Sequence, residues 1–121
     1  MSTKRKIAWS EIALKEARKS PSKAKVGAVV IGRGGVILAK AYNVSRDNTT
    51  TGKKCAEIRA IGKVPHDAKQ NIEVVVVVRA RKSLKYGLAK PCLHCQAFLK
   101  VMNVPTVYFT TNHKELELFV L

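Results

Sequence analysis

A run of hydrophobic residues in the middle of the chain limits the folds available to it. The segment IEVVVVV, residues 72–78, contains five consecutive valines and lacks the polar alternation that would mark a solvent-facing side. A strand of this composition is typically buried on both faces of its sheet. We therefore predict that this segment is a strand covered on both faces.

Helical and strand patterns alternate on either side of this strand. Residues 7–19 carry apolar side chains at helical spacing, and residues 32–35 (GRGG) join two segments that are rich in β-branched and apolar residues. A glycine-rich turn between two such segments predicts a hairpin. The predicted elements are helices at 7–19, 55–63 and 91–102, strands at 26–31, 36–42, 72–78, 104–110 and 116–120, and loops at 43–54 and 79–90.

The last two predicted strands are separated by residues 111–115. A parallel pair of strands requires a crossover of about a dozen residues or more. We therefore predict that these two strands form an antiparallel hairpin.

Length and composition set the broad class of protein. With 121 residues and 46% hydrophobic content, the sequence predicts a single domain spanning residues 1–121. Its apolar runs are far shorter than the roughly 18–20 residues that span a bilayer, and its basic N-terminus is followed by an amphipathic stretch. We predict a cytoplasmic protein with no membrane association. The net charge of +15 is expected to attract polyanions or phosphorylated small molecules.

The three cysteines of the chain are candidate metal ligands. An odd number of cysteines without a secretion signal argues against a disulfide framework. Cys92 and Cys95 stand three residues apart at a predicted helix start, so both thiols face one side of the first turn. Together with Cys55, at another helix start, they can supply three of the four tetrahedral positions that zinc prefers and leave the fourth for water. We predict one Zn²⁺ per subunit.

Glu57 is the candidate catalytic residue. It lies two residues after Cys55, on the same first turn, where a carboxylate can reach a metal-bound water without itself binding the metal. A Cys-x-Glu segment followed by Pro-Cys-x-x-Cys is a signature of zinc-dependent nucleobase deaminases, and Pro91 completes it here. A closed structural site with His94 as fourth ligand is the main competitor. His94 is expected to point about 100° away from Cys95 around the helix.

The sequence resembles the cytidine deaminase superfamily, and most closely its free-nucleoside branch. The resemblance rests on Cys-Ala-Glu and Pro-Cys-x-x-Cys, on SKAKVGAVV, which is similar to the SKFPVGAAL of that branch, and on AYN at residues 41–43. It implies a three-layer α/β fold, with a five-stranded mixed sheet and helices on both faces. It also implies that Cys55, Cys92 and Cys95 bind zinc and that Glu57 shuttles protons. By the same resemblance, the Ala56 backbone N–H would bind the base carbonyl and Asn43 the sugar.

Two departures from that branch affect the substrate. Ala24 stands where the nucleoside enzymes carry a phenylalanine that packs on the base, and Ser45 stands where they carry a glutamate. We therefore expect a more open pocket that is less selective for a ribose hydroxyl. The predicted substrate-binding residues are Ala24, Tyr42, Asn43, Ala56 and Pro91.

The expected function is hydrolytic deamination of cytosine to uracil, with release of ammonia, in cytidine or deoxycytidine as nucleoside or nucleotide. The alternative is a cytosine deaminase that acts on single-stranded RNA or DNA, and a zinc-stabilised interaction module without activity is a third class. For the nucleic-acid alternative, Tyr42 or Tyr86 could stack on bases. Its candidate phosphate contacts are Lys53, Lys54, Arg79, Arg81, Lys82 and Lys85. The resemblance also implies a homo-oligomer, a dimer or tetramer, and we expect a tetramer.

Overall fold

The computed structural model describes residues 3–44, 55–82, 86–111 and 118–120. Helices and strands alternate along these segments in the order expected from the sequence. The elements are α1 (Thr3–Arg18), β1 (Lys25–Gly32), β2 (Ile37–Tyr42), α2 (Ala56–Lys63), β3 (Ile72–Ala80), β4 (Tyr86–Gly87), α3 (Leu93–Val101), β5 (Thr106–Thr110) and β6 (Leu118–Val120).

The strands form one mixed sheet with the order β2-β1-β3-β5-β6, and the two-residue strand β4 pairs with the end of β3. β3 and β5 are parallel, with α3 in the connection between them. The other pairs are antiparallel, including β5 with β6, and this confirms the predicted arrangement of the last two strands. Most of the connection between those strands lies outside the described residues.

The valines of β3 divide between two cores, one on each face of the sheet. Val74, Val76 and Val78 pack with Trp9 and Leu14 of α1. The intervening Val75 and Val77 pack on the opposite face, in a cluster that includes Ala56, Ala60 and Ile61 of α2 and Leu99 of α3. All five valines are at most 3% exposed. The prediction of a strand covered on both faces is therefore confirmed, as is the three-layer α/β fold.

Helix α1 approaches β1 closely at Gly27. A Cβ atom at this position would stand 2.1 Å from the Ala13 carbonyl oxygen and 2.5 Å from the Ala17 nitrogen. Both distances are too short for any side chain, so the backbone of α1 lies directly against β1 at this glycine. The contact fixes α1 against the strand that leads out of the loop at residues 21–24.

Several boundaries differ from the sequence predictions. Helix α1 begins four residues earlier than expected, and β5 begins at Thr106, after Pro105, which lacks the N–H that a sheet needs. The predicted loop at 79–90 contains the end of β3 and strand β4, which is too short to give a periodic pattern. Within the described residues, no helix is both long enough and apolar enough to cross a membrane.

Candidate metal centre and substrate cavity

The three cysteines meet at the starts of two helices on the same face of the sheet. Cys55 is the N-cap of α2, Cys92 is the N-cap of α3, and Cys95 lies in the first turn of α3. Their three Sγ atoms all lie within 4.8 Å of one another, and the Sγ atoms of Cys92 and Cys95 are 3.4 Å apart. The structure therefore brings together two cysteine segments that are 37 residues apart in the sequence.

This cluster fits zinc. In a tetrahedral site with Zn–S bonds of about 2.3 Å, sulfur atoms stand about 3.8 Å apart, close to the spacing seen here. Three thiols are a soft donor set that suits zinc, and both helix N-termini favour the negative charge of thiolates. His94 is exposed and does not belong to the cluster. A zinc ion held by Cys55, Cys92 and Cys95 would retain an open position.

The thiols differ in their electrostatic surroundings. Burial raises the pKa of Cys55 to about 11, and it also raises the pKa of Cys95 above its ordinary value. Burial has the same tendency at Cys92, but hydrogen bonds from the backbone N–H groups of Cys95 and His94 lower the pKa of Cys92 overall. A cation is therefore needed to hold all three groups as thiolates, which is the role that a bound zinc ion performs.

Glu57 lies beside the thiols in the first turn of α2. The side chain is 4% exposed, and burial raises the pKa of its carboxyl group, although hydrogen bonds donated by its own backbone N–H and by the Cys95 and Cys55 thiols oppose that shift. A carboxyl group with a raised pKa is a stronger base than an ordinary carboxylate, which suits a group that accepts a proton and then returns it. Its position next to the cluster is the one predicted from the Cys-x-Glu spacing.

A cavity of about 690 Å³ opens onto Cys55, Glu57 and Cys92. Four of the five predicted substrate-binding residues line it, namely Ala24, Asn43, Ala56 and Pro91. Its lining consists of Pro21, Ser22, Lys23, Ala24, Val26, Asn43, Val44, Cys55, Ala56, Glu57, Arg79, Leu88, Ala89, Lys90, Pro91 and Cys92.

Tyr42, the fifth predicted substrate-binding residue, is not among the described residues that line this cavity. Its ring packs against the Arg59 guanidinium, 4.9 Å from the ring centroid, and its carbonyl oxygen accepts a hydrogen bond of 2.5 Å from Arg59 Nη1. Tyr42 is the last residue of β2 and Asn43 follows it directly. Side chains of successive residues in an extended chain point to opposite sides, so these two differ in direction. Arg59 thus ties α2 to the end of β2.

The Asn43 side chain connects two backbone segments at the cavity wall. Its Oδ1 accepts a hydrogen bond of 2.9 Å from Val26 N–H, and its Nδ2 donates one of 2.7 Å to the Ala24 carbonyl oxygen. The amide can still offer one N–H and one lone pair to a ligand. Asn43 therefore shapes the cavity through its hydrogen bonds to the backbone of Ala24 and Val26.

The cations near the cavity only partly match those predicted from the sequence. Arg79 lines the cavity, whereas Arg81 and Lys82 are exposed and do not. Lys53, Lys54 and Lys85 lie outside the described residues. Sequence reasoning missed Ser22, Lys23 and Lys90, because no motif distinguishes them from the many other polar and basic residues; their shared location results from strand pairing.

The fold and the site together define an α/β protein with a three-thiol zinc centre that opens onto a cavity. Residues 3–111 match the family described as the cytidine and deoxycytidylate deaminase zinc-binding region, and the chain belongs to this family. Membership supports a hydrolytic deaminase that acts on cytosine, and it confirms the resemblance seen in the sequence.

Solved structures of deaminases share the fold. The chain is similar to a cytidine deaminase from Burkholderia pseudomallei, with a TM-score of 0.70 and 21% identity over 100% of this chain and 92% of that one. It is also similar to the dCMP deaminase of cyanophage S-TIM5 in apo form, with a TM-score of 0.68 and 23% identity over 92% of this chain and 86% of that one. The same phage enzyme in complex with dCMP and dUMP gives a TM-score of 0.64 and 21% identity, over 92% of this chain and 84% of that one. None of the curated protein sequences compared matches this chain significantly.

Proposed function

We propose that the protein catalyses the zinc-dependent hydrolytic deamination of cytosine to uracil in a cytidine- or deoxycytidine-type substrate. The observation that carries this proposal is the position of Glu57, a buried carboxyl group that lies next to three clustered thiols and lines a cavity. A purely structural zinc site has no use for a buried acid at that position, because burying a carboxyl group is costly.

The reaction adds water to C4 of cytosine and expels the exocyclic amino group as ammonia. Zinc held by Cys55, Cys92 and Cys95 would supply a water activated for attack at neutral pH. Glu57 accepts a proton from the attacking water and delivers it to N3. It then takes the proton of the hydroxyl group formed on C4 and delivers it to the amino group, which leaves as ammonia while the C4 carbonyl of uracil forms. The raised pKa of Glu57 suits this exchange, since the carboxyl group must be a base and an acid within one turnover.

The start of α2 orients the base. Ala56 is the first residue of the helix, so its N–H is one of the backbone donors that have no partner inside the helix. Ala56 also lines the cavity next to Glu57. A donor at this place can bind the carbonyl oxygen of the base and hold C4 towards the zinc centre.

Replacing Glu57 by glutamine tests this proposal. Glu57→Gln removes the proton shuttle but keeps the shape of the side chain, so we expect kcat on cytidine or dCMP to fall by about 10²–10⁴-fold. The zinc content, measured by metal analysis of the purified protein, is expected to stay at one ion per subunit. Glu73→Gln provides the matched control, because Glu73 is an exposed residue of β3. Near-normal activity of Glu57→Gln would contradict the mechanism.

We also propose that the protein forms a homo-oligomer. Two apolar side chains of α3, Leu93 and Val101, are 83% and 78% exposed. Large apolar side chains exposed on one helix are typical of a surface that contacts another protein. Leu93 directly follows the zinc ligand Cys92, so a neighbouring subunit on this helix would lie close to the site.

A further inference from the structure

One wall of the cavity is built by three segments that strand pairing brings together. Val26 of β1 lies opposite Arg79 of β3, and Arg79 lies opposite Gly87 of β4. The residues just before β1, the end of β3 and the residues just after β4 therefore meet at one wall. These segments contribute Ser22, Lys23, Arg79 and Lys90 to the cavity lining.

Two polar atoms in this wall are buried without a partner. Among the described residues, neither the Ser22 hydroxyl nor Nε of Arg79 makes a hydrogen bond, although both atoms are inaccessible to solvent. Buried polar groups are nearly always paired in folded proteins, because an unpaired one loses its hydration without compensation. Arg79 Nε–H can only donate and the Ser22 hydroxyl can donate as well as accept, so a hydrogen-bond acceptor in this wall would satisfy both groups.

The charge of the wall specifies which kind of acceptor. Lys23 and Lys90 add two exposed ammonium groups, whereas the carboxylate in the described lining, Glu57, lies beside the thiols. A guanidinium with neighbouring ammonium and hydroxyl donors matches a phosphate group, which offers several charged oxygens. A neutral sugar hydroxyl would leave most of this charge unbalanced.

The wall is held in place from behind by Thr110. The hydroxyl of this buried residue accepts a hydrogen bond of 3.2 Å from Arg79 N–H and donates one of 2.7 Å to the Gly87 carbonyl oxygen. The Thr110 carbonyl oxygen accepts a further bond of 2.9 Å from Ala89 N–H. Arg79 and the segment that carries Lys90 are thus fixed relative to each other before any ligand binds.

We propose that this wall binds the phosphate of the substrate, so that the preferred substrate is a cytosine mononucleotide rather than a nucleoside. The inference rests on the proposed deaminase function and specifies its substrate class. A cavity of about 690 Å³ is within the usual range for a small-molecule site. Sites for single-stranded nucleic acid combine basic grooves with aromatic stacking residues, and the described lining contains no aromatic residue.

Kinetics on zinc-loaded protein test the substrate class. The substrates are cytidine, deoxycytidine, CMP, dCMP and a short single-stranded oligonucleotide that contains cytosine. We expect kcat/KM for a nucleotide to exceed that of its nucleoside by about 10–100-fold, the effect of charge-assisted hydrogen bonds to one phosphate. Equal kcat/KM values for nucleotide and nucleoside, or turnover of the oligonucleotide alone, would overturn the proposal.

A charge-matched pair of variants tests the residue. Arg79→Gln is expected to reduce the nucleotide-to-nucleoside ratio of kcat/KM about 10-fold or more. Arg33→Gln removes the same charge from the exposed turn at the opposite end of β1 and should leave that ratio unchanged. If Arg79→Gln lowered kcat/KM equally for both substrates, Arg79 would have a general structural role and the phosphate assignment would be wrong.

Binding of the products separates this inference from the proposed function. Titration calorimetry with dUMP and with deoxyuridine measures the contribution of the phosphate without any turnover. We expect dUMP to bind about 10–100-fold more tightly, and Arg79→Gln to remove that difference. If no cytosine compound is deaminated while dUMP still binds more tightly, the proposed function fails and the phosphate site stands. Equal binding of the two products would refute the phosphate site itself.

Discussion

Replacing Gly27 by alanine tests how the helical layer is attached to the sheet. The added Cβ would stand 2.1 Å from the Ala13 carbonyl oxygen and 2.5 Å from the Ala17 nitrogen. The first distance is more than 1 Å shorter than an ordinary van der Waals contact of 3.4–4 Å. Both atoms belong to the backbone of α1, so no side chain can rotate away, and the helix must move from β1. We expect a loss of about 3 kcal/mol in the free energy of unfolding, the upper end of the usual range for overpacking.

Gly62 provides a matched control for the same substitution. A Cβ at Gly62 has no atom within 4 Å, and the residue is exposed near the end of α2. Gly62→Ala should therefore stabilise the protein by ~0.5–1 kcal/mol, since alanine favours the helix. The assay is urea unfolding of the zinc-loaded variants at a fixed zinc concentration. With a slope of ~1–3 kcal/mol/M, the midpoint of Gly27→Ala should fall by about 1 M or more. An unchanged midpoint for Gly27→Ala would refute the close packing of α1 on β1.

Two further predictions concern the metal and the assembly. Cys95→Ala is expected to lose bound zinc and to have a lower free energy of unfolding, whereas His94→Ala should retain one zinc ion per subunit. Metal analysis of both variants distinguishes an open site with three thiol ligands from a closed site with four ligands. Loss of zinc from His94→Ala would show that the site is closed. Light scattering at micromolar concentration is expected to give a mass of four subunits, and Leu93→Lys should weaken the assembly. A monomeric wild-type protein would contradict the proposed oligomer.

The zinc centre could be predicted from the sequence because its chemistry depends on short spacings. Cys92 and Cys95 stand three residues apart, and Glu57 follows Cys55 by two, so the geometry of one helical turn fixes each pair. The burial of β3 on both faces could also be predicted from its composition, since five consecutive valines leave neither face of the strand suited to water. Strand β4 could not be predicted, because two residues in a basic segment carry no periodicity and pair only through contacts with β3.

The sequence by itself predicted the cluster of three thiols, the place of Glu57 beside them and the layered architecture, because each depends on local periodicity and on side-chain chemistry. The tertiary structure alone decided what surrounds them. Pairing of Val26 with Arg79 and of Arg79 with Gly87 brings Ser22 to the same wall as Arg79 and Lys90, although Ser22 is far from both in sequence. Such long-range pairing depends on the packing of the whole sheet, so it cannot be predicted from any short segment of the sequence.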